Sequence, residues 1–167
     1  MPEKLITKLW AAVRLAQPQS VPRDGWFQLF PELNNQGRPE TVLELLNSSR
    51  LVIPFLQREN EGVLLLVREN IDWVAIGAGV EPHLIFPPDR HAAFQERVEI
   101  SFIDEQRIEA DIRWGDFATN VRLSDYLNSS DAFIAAEASF GTLMVNKRRI
   151  RQVRIVNASD VSNAVEM

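Results

Sequence analysis

Leu46-Asn-Ser-Ser49 returns as Leu127-Asn-Ser-Ser130, and the register set by these two stretches decides how the rest of the chain is read. Placing Asn47 against Asn128 pairs Val42 with Leu123, Glu44 with Asp125, Leu45 with Tyr126 and Leu46 with Leu127. Val52 then meets Phe133, and Ile53 meets Ile134. Setting Gly62 against Gly141 absorbs a two-residue difference and pairs Leu64 with Leu143, Leu65 with Met144, Leu66 with Val145 and Arg68 with Lys147. Ile71, Val74 and Ile76 fall on Ile150, Val153 and Ile155. The length change lies in a turn, where insertions are tolerated. The matched apolar positions therefore read as a tandem duplication.

Each copy has the same local grammar. Thr41 and Glu44 form a capping box that opens a short helix, with Val42, Leu45 and Leu46 on its inward face. Asn47-Ser48-Ser49 closes it, because these side chains compete for backbone hydrogen bonds. Leu51–Leu56, Val63–Val67 and Ile71–Ile76 read as strands separated by polar turns. In the second half, Arg97–Ile103 and Ile108–Trp114 alternate apolar and polar residues as a hairpin does. A short helix then carries Leu123, Tyr126 and Leu127, and strands follow at 132–137, 142–145 and 150–156. At the N-terminus Leu5, Ile6, Leu9, Trp10, Ala12, Val13 and Ala16 recur at three- and four-residue spacing, which predicts an amphipathic helix ending before Pro18.

The predicted class is α+β and strand-rich: a duplicated strand–short helix–strand–strand–strand unit in mainly antiparallel sheets, plus that N-terminal helix. The expected divisions are residues 1–25 for the helix and loop, 26–77 for the first repeat, 78–97 for a crossover stiffened by Pro82, Pro87 and Pro88, 98–156 for the second repeat, and 157–167 for a polar tail. A unit of this size is marginal alone. A pseudo-two-fold arrangement in one body would let each copy cover the other's apolar face.

The composition sets the broad class. The 167 residues are 46% hydrophobic and 25% charged, with a net charge of −5, which is ordinary for a globular domain and favours solubility. There is no cysteine, hence no disulfide, zinc–thiolate site or thiol nucleophile. Met1–Trp10 is broken by Glu3, Lys4 and Lys8 and reads as no secretion signal. No run approaches the roughly 20 apolar residues that span a bilayer. These features predict a soluble cytoplasmic protein with no membrane span.

Arg122-Leu-Ser-Asp-Tyr-Leu-Asn128, then Phe133-Ile134, Val145-Asn-Lys147 and Ile150, resemble a family of small uncharacterised bacterial proteins in which R-L-S-D-x-L-N precedes a strand and V-N-K-x-x-I follows. The resemblance spans residues 121–155, and the first copy fits it only loosely. It implies the fold unit and no activity.

Chemistry-bearing residues are sparse. His83 and His91, near Glu81 and Asp89, match no metal-ligand spacing. No Gly-x-Ser-x-Gly elbow is present. Glu109 and Asp111 share one strand face, which alternation assigns to solvent. Gly77-Ala-Gly79 lacks the third glycine of a dinucleotide fingerprint. No catalytic residue, cofactor or metal is expected. One local anomaly stands out: Lys147, Arg148, Arg149, Arg151 and Arg154 crowd into eight residues of an acidic protein. They are candidate contacts for a partner or an anion, or else a charged guard on a sheet edge. The favoured reading is a non-catalytic module acting through a protein partner or self-association. Two alternatives stand beside it: a small-ligand protein or enzyme with its site between the repeats, and nucleic-acid binding through Lys147–Arg154.

Overall fold

The computed structural model describes residues 9–32, 37–59, 62–90, 92–115, 122–129 and 131–156. In the segment Leu9–Ala16 (β1), Ala11, Val13 and Leu15 are buried on one side, and Leu9 packs on the same core. That is the two-residue period of a strand. The predicted N-terminal helix is thus overturned wherever the segment is described; Leu5 and Ile6 lie outside the described residues. The misreading has a physical source. β1 is paired on both edges, and Ala16 on its other face is buried in a second core. A strand apolar on both faces offers points for a helical stripe as readily as for alternation.

Nine more strands follow: β2 (Arg23–Leu29), β3 (Val52–Gln57), β4 (Val63–Val67), β5 (Trp73–Ile76), β6 (Phe94–Phe102), β7 (Arg107–Trp114), β8 (Phe133–Ala138), β9 (Gly141–Asn146) and β10 (Ile150–Ile155). Two short helices interrupt them, α1 (Val42–Asn47) and α2 (Leu123–Leu127). The Thr41–Glu44 capping box is present in full. All ten strands form one antiparallel sheet in the order β10-β6-β7-β8-β9-β5-β1-β2-β3-β4. The predicted α+β class with several sheets is therefore corrected to a single-sheet protein with two short helices.

The order is the same list twice. β5-β1-β2-β3-β4 and β10-β6-β7-β8-β9 are one topology, so β1 and β2 belong to the repeating unit as β6 and β7 do. In each copy the last strand returns to pair with the first, and the helix bridges the second and third. Where β2 passes β3, the ring of Phe55 lies against Gly25, and no side chain would fit there.

The copies meet where β5 pairs with β9, Trp73 opposite Val145, Val74 opposite Met144 and Ala75 opposite Leu143. The seam joins non-equivalent strands, antiparallel, with the two cores on opposite faces of the sheet. Val74 and Met144 enter the first core, beneath α1; Trp73, Ala75, Leu143 and Val145 enter the second, beneath α2. Copy is thus related to copy by a half-turn about an axis that crosses the sheet perpendicular to the strands, combined with an advance of one unit along it. The expected pseudo-two-fold supplies the half-turn only; the advance makes the join heterologous.

Each core is completed by the other copy. Phe133, Ala135 and Met144 of the second copy lie in the first core, and Trp73, Ala75 and Ala16 of the first copy lie in the second. The crossover also packs on the first core through Leu84, and Ile85 accepts a hydrogen bond from the Leu43 N–H.

This interlocking predicts one cooperative transition. Met144→Ala should cost about 2–5 kcal/mol and shift urea unfolding followed by tryptophan fluorescence and by circular dichroism together. Leu65→Ala, at the equivalent but exposed position, should stay within about 0.5 kcal/mol. Separate transitions by the two probes would contradict the shared cores.

Candidate functional site

Among the described residues, strands β4 and β10 are the two open edges of the sheet, and they are unlike. β4 reads Val-Leu-Leu-Leu-Val, with Leu64 and Leu66 turned to the first core and Val63, Leu65 and Val67 on the opposite face. Those three are exposed, Leu65 to 70% of its surface, and Val52, which opens β3 opposite Val67, extends the apolar face. The sequence reads Val63–Val67 as a strand and does not place it at an edge. The signal was there: five consecutive apolar residues suit a strand covered on both faces, and topology places this one at an edge. Exposed hydrophobic edges are the kind that recruit other chains.

The cations are divided between the turn at Lys147–Arg149 and β10 itself, which carries Arg151 and Arg154. Lys147 Nζ donates to Leu127 O at 3.1 Å and to Ser129 O at 2.6 Å, closing the C-terminal end of α2. Arg68 does the same for α1, donating from Nη1 to Leu46 O at 2.8 Å and from Nε to Arg50 O at 2.9 Å. A cation at a helix C-terminus satisfies free carbonyls and meets the negative end of the dipole. Arg148 pairs with Glu69 at 2.9 Å and Arg149 with Asp72 at 3.0 Å, both across the seam. Arg154 pairs with Glu99 at 3.2 Å. Arg151 is exposed and stands in no salt bridge among the described residues. The structure thus scatters the five cations over a helix end, the seam and the edge.

The seam is fixed by polar contacts at one end. Asn146 N–H donates to Asp72 O at 3.0 Å, and its side-chain Nδ2 donates to Glu69 O at 3.1 Å and Ile71 O at 2.9 Å. Asp72 has a side chain only 1% exposed; Oδ1 takes the Arg149 bond and Oδ2 makes no hydrogen bond among the described residues. Burial pushes its carboxyl above the usual carboxylate range, Arg149 opposes this, and the nearby Asp104 adds to it. On the helix side, Asn47 straps α1 to the other copy: Oδ1 accepts the Phe133 N–H at 2.7 Å and Nδ2 donates to Phe133 O at 3.1 Å. The repeated asparagine that set the register is therefore, in the first copy, a contact between copies.

The remaining candidates stay apart. His83 Nδ1 lies 3.2 Å from Glu81, both exposed, and His91 lies outside the described residues. Among the described residues no three His, Asp or Glu side chains are grouped to hold a metal ion. Glu109 and Asp111 are bridged by Arg97 at 3.0 and 3.3 Å. Gly77 ends β5 with its N–H on Ala12 O, so close that a Cβ would meet that oxygen at 2.8 Å; the glycine serves strand packing. A shallow depression of ≈ 290 Å³ lies over β1, β2 and β5, with Arg14, Asp24, Trp26, Arg58 and Phe140 in its lining. Arg14 and Asp24 satisfy each other through two bonds of 2.7 and 3.0 Å, and no histidine or hydroxyl nucleophile is among its lining residues. No helix among the described residues is long and apolar enough to cross a membrane. Comparison with protein-family models, curated proteins and solved structures finds no match for this chain.

Two measurements check the seam. Asn47→Ala leaves a buried backbone pair unsatisfied and should cost about 1–3 kcal/mol, whereas Asn128→Ala, at an exposed side chain, should cost within about 0.5 kcal/mol in dilute solution; equal losses would contradict the strap. For Asp72, a raised folded-state pKa means that the folded form takes up the proton first. Wild type should therefore gain stability relative to Asp72→Asn as pH falls from neutrality through that raised pKa to about 3.9. A gap that moves the other way would show that Arg149, and not burial, governs the group.

Proposed function

We propose that this protein acts by holding another polypeptide along the β4 edge, without chemistry of its own. One observation carries the reading: an edge strand whose outward face is Val63, Leu65 and Val67, continued by Val52. Main-chain groups of an edge strand supply affinity for an added strand, and the alternate side chains supply a surface for it to cover.

The rival with a site between the repeats finds little support in the geometry. The seam is filled by Trp73, Val74, Met144 and Val145, all buried. The hollow that opens at its end, beside Arg68, Glu69, Phe133, Asn146 and Arg148, is ≈ 50 Å³, against about 300 Å³ or more for a small-molecule site. Nucleic-acid binding through Lys147–Arg154 is weakened by the partners those side chains already have. A cysteine-free chain suits a reducing compartment, and the reading includes a cytoplasmic setting.

A photo-crosslinking amino acid placed at position 65 tests the reading in the producing cell. It should give discrete polypeptide adducts, and the same group at Arg107, the exposed first residue of β7, should give none. Equal labelling at both positions, or none at either, would overturn it.

A further inference from the structure

Apolar residues exposed at the two ends of the sheet have equivalents that the seam buries. Leu65 is exposed and Met144 is fully buried; Val52 is exposed and Phe133 is buried. At the far end Ile155 is exposed and Val153 half-buried, while Ile76 and Val74 are buried. The helices agree. Leu45 and Leu46 of α1 are completely buried, whereas Tyr126 and Leu127 of α2 are half-buried. The first helix rests partly on β8 of the other copy, through the Asn47 strap to Phe133, and the second has no strand in that place.

The backbone points the same way. On β4, the bonds from Gln57 N–H to Gly62 O and from Arg68 N–H to Leu51 O fix which peptides face β3, and leave those of Val63, Leu65 and Val67 facing outward. On β10, the bond from Val156 N–H to Arg97 O leaves those of Val153 and Ile155 facing outward. Leu65 and Val153 are the equivalents of Met144 and Val74, which stand opposite each other at the seam.

Building on the reading of β4 as a polypeptide-binding edge, we propose that its occupant is a second copy of this chain. β10 of one molecule pairs antiparallel with β4 of the next in the register of the internal seam. Val153 then stands opposite Leu65, and Gln152 opposite Leu66. The neighbour's β3 comes under α2, and the exposed Asn128 reaches the backbone of Val52 as Asn47 reaches that of Phe133.

Charge disfavours one symmetric rival. β10 bears Arg151, exposed and in no salt bridge among the described residues, so two β10 edges set like charges against each other, while β4 itself is uncharged. The outer join lacks some of the locks of the inner one: Val67 stands for Asn146, Arg151 for Asp72 and Gln152 for Trp73. It is therefore weaker and reversible, and association depends on concentration. A heterologous join that combines a half-turn with an advance propagates and does not close, so the product is an open head-to-tail string.

The chain has no cysteine, so full-length Leu65→Cys and Val153→Cys variants carry one thiol each. Opposed residues in a bonded antiparallel pair lie about 5.5 Å apart at Cα, within disulfide reach. Mixing the two variants under mild oxidation should give the mixed disulfide in large excess over either homodimer. In parallel, the light-scattering mass of the wild type should double and then climb with concentration. Leu65→Lys should lose that rise and stay at the 19.0 kDa of the monomer, with its thermal melt unchanged. A wild type that stays at monomer mass and forms no mixed disulfide overturns the proposal, as does a homodimer that equals the mixed species. Photo-adducts at position 65 that contain only a different polypeptide overturn self-association while leaving β4 as a polypeptide-binding edge; no adduct at all removes both.

Discussion

The pairing of β5 with β9 is the constraint on which the molecule depends. A five-strand unit with one short helix buries too little surface to be secure alone. The seam gives each unit the back of the other's strands: Phe133, Ala135 and Met144 complete the first core, and Trp73, Ala75 and Ala16 complete the second. Register at the seam is not left to apolar contact. Asn146 grips Glu69 and Ile71 by their carbonyls, and Arg149 neutralises a nearly inaccessible Asp72. A slip of one residue would leave that carboxylate buried without its partner, a loss of about 3–5 kcal/mol. The ion pair thus specifies the join more than it stabilises it, as Oδ2, without a hydrogen bond among the described residues, also suggests.

A heterologous join between repeats has a consequence that a two-fold join does not. It consumes one edge from each copy and leaves the complementary pair, β4 and β10, at the two ends of the sheet. Those ends have diverged. β10 has acquired arginines and a register irregularity between Ile150 and Gln152, both of which discourage indiscriminate edge pairing. β4 has remained apolar on both faces. One guarded edge and one unguarded edge limit the pairings open to the molecule, which is a different design from guarding both.

Much of this was legible in the residues, for identifiable reasons. The duplication, the single length change near Gly62 and the helix opening at Thr41 are written in local chemistry: a capping box, turn residues and matched apolar positions. The strand character of Leu9–Ala16 was not, since a central strand flanked by β2 and β5 has apolar residues on both faces and loses its alternation. The first strand of the unit was missed in the first copy for the same reason, although Arg97–Trp114 showed the hairpin plainly in the second. The cationic run was visible but its role was not, because Lys147 acts on the end of α2 and Arg149 on a residue of the other copy, contacts set by tertiary structure. The exposed face of β4 needed the strand order before it could be recognised.

Native-state hydrogen exchange in dilute solution tests the central claim most directly, since it reports the opening of each amide against the opening of the whole. The account predicts that Asn146, Met144 and Val74, whose amides lie in the seam, exchange only through global unfolding, at the same free energy as the core of either copy. The outward amides of Leu65 and Val153 should exchange far faster. Seam amides that open at a lower free energy than the strands on either side would mean that the copies separate while folded, and would contradict it.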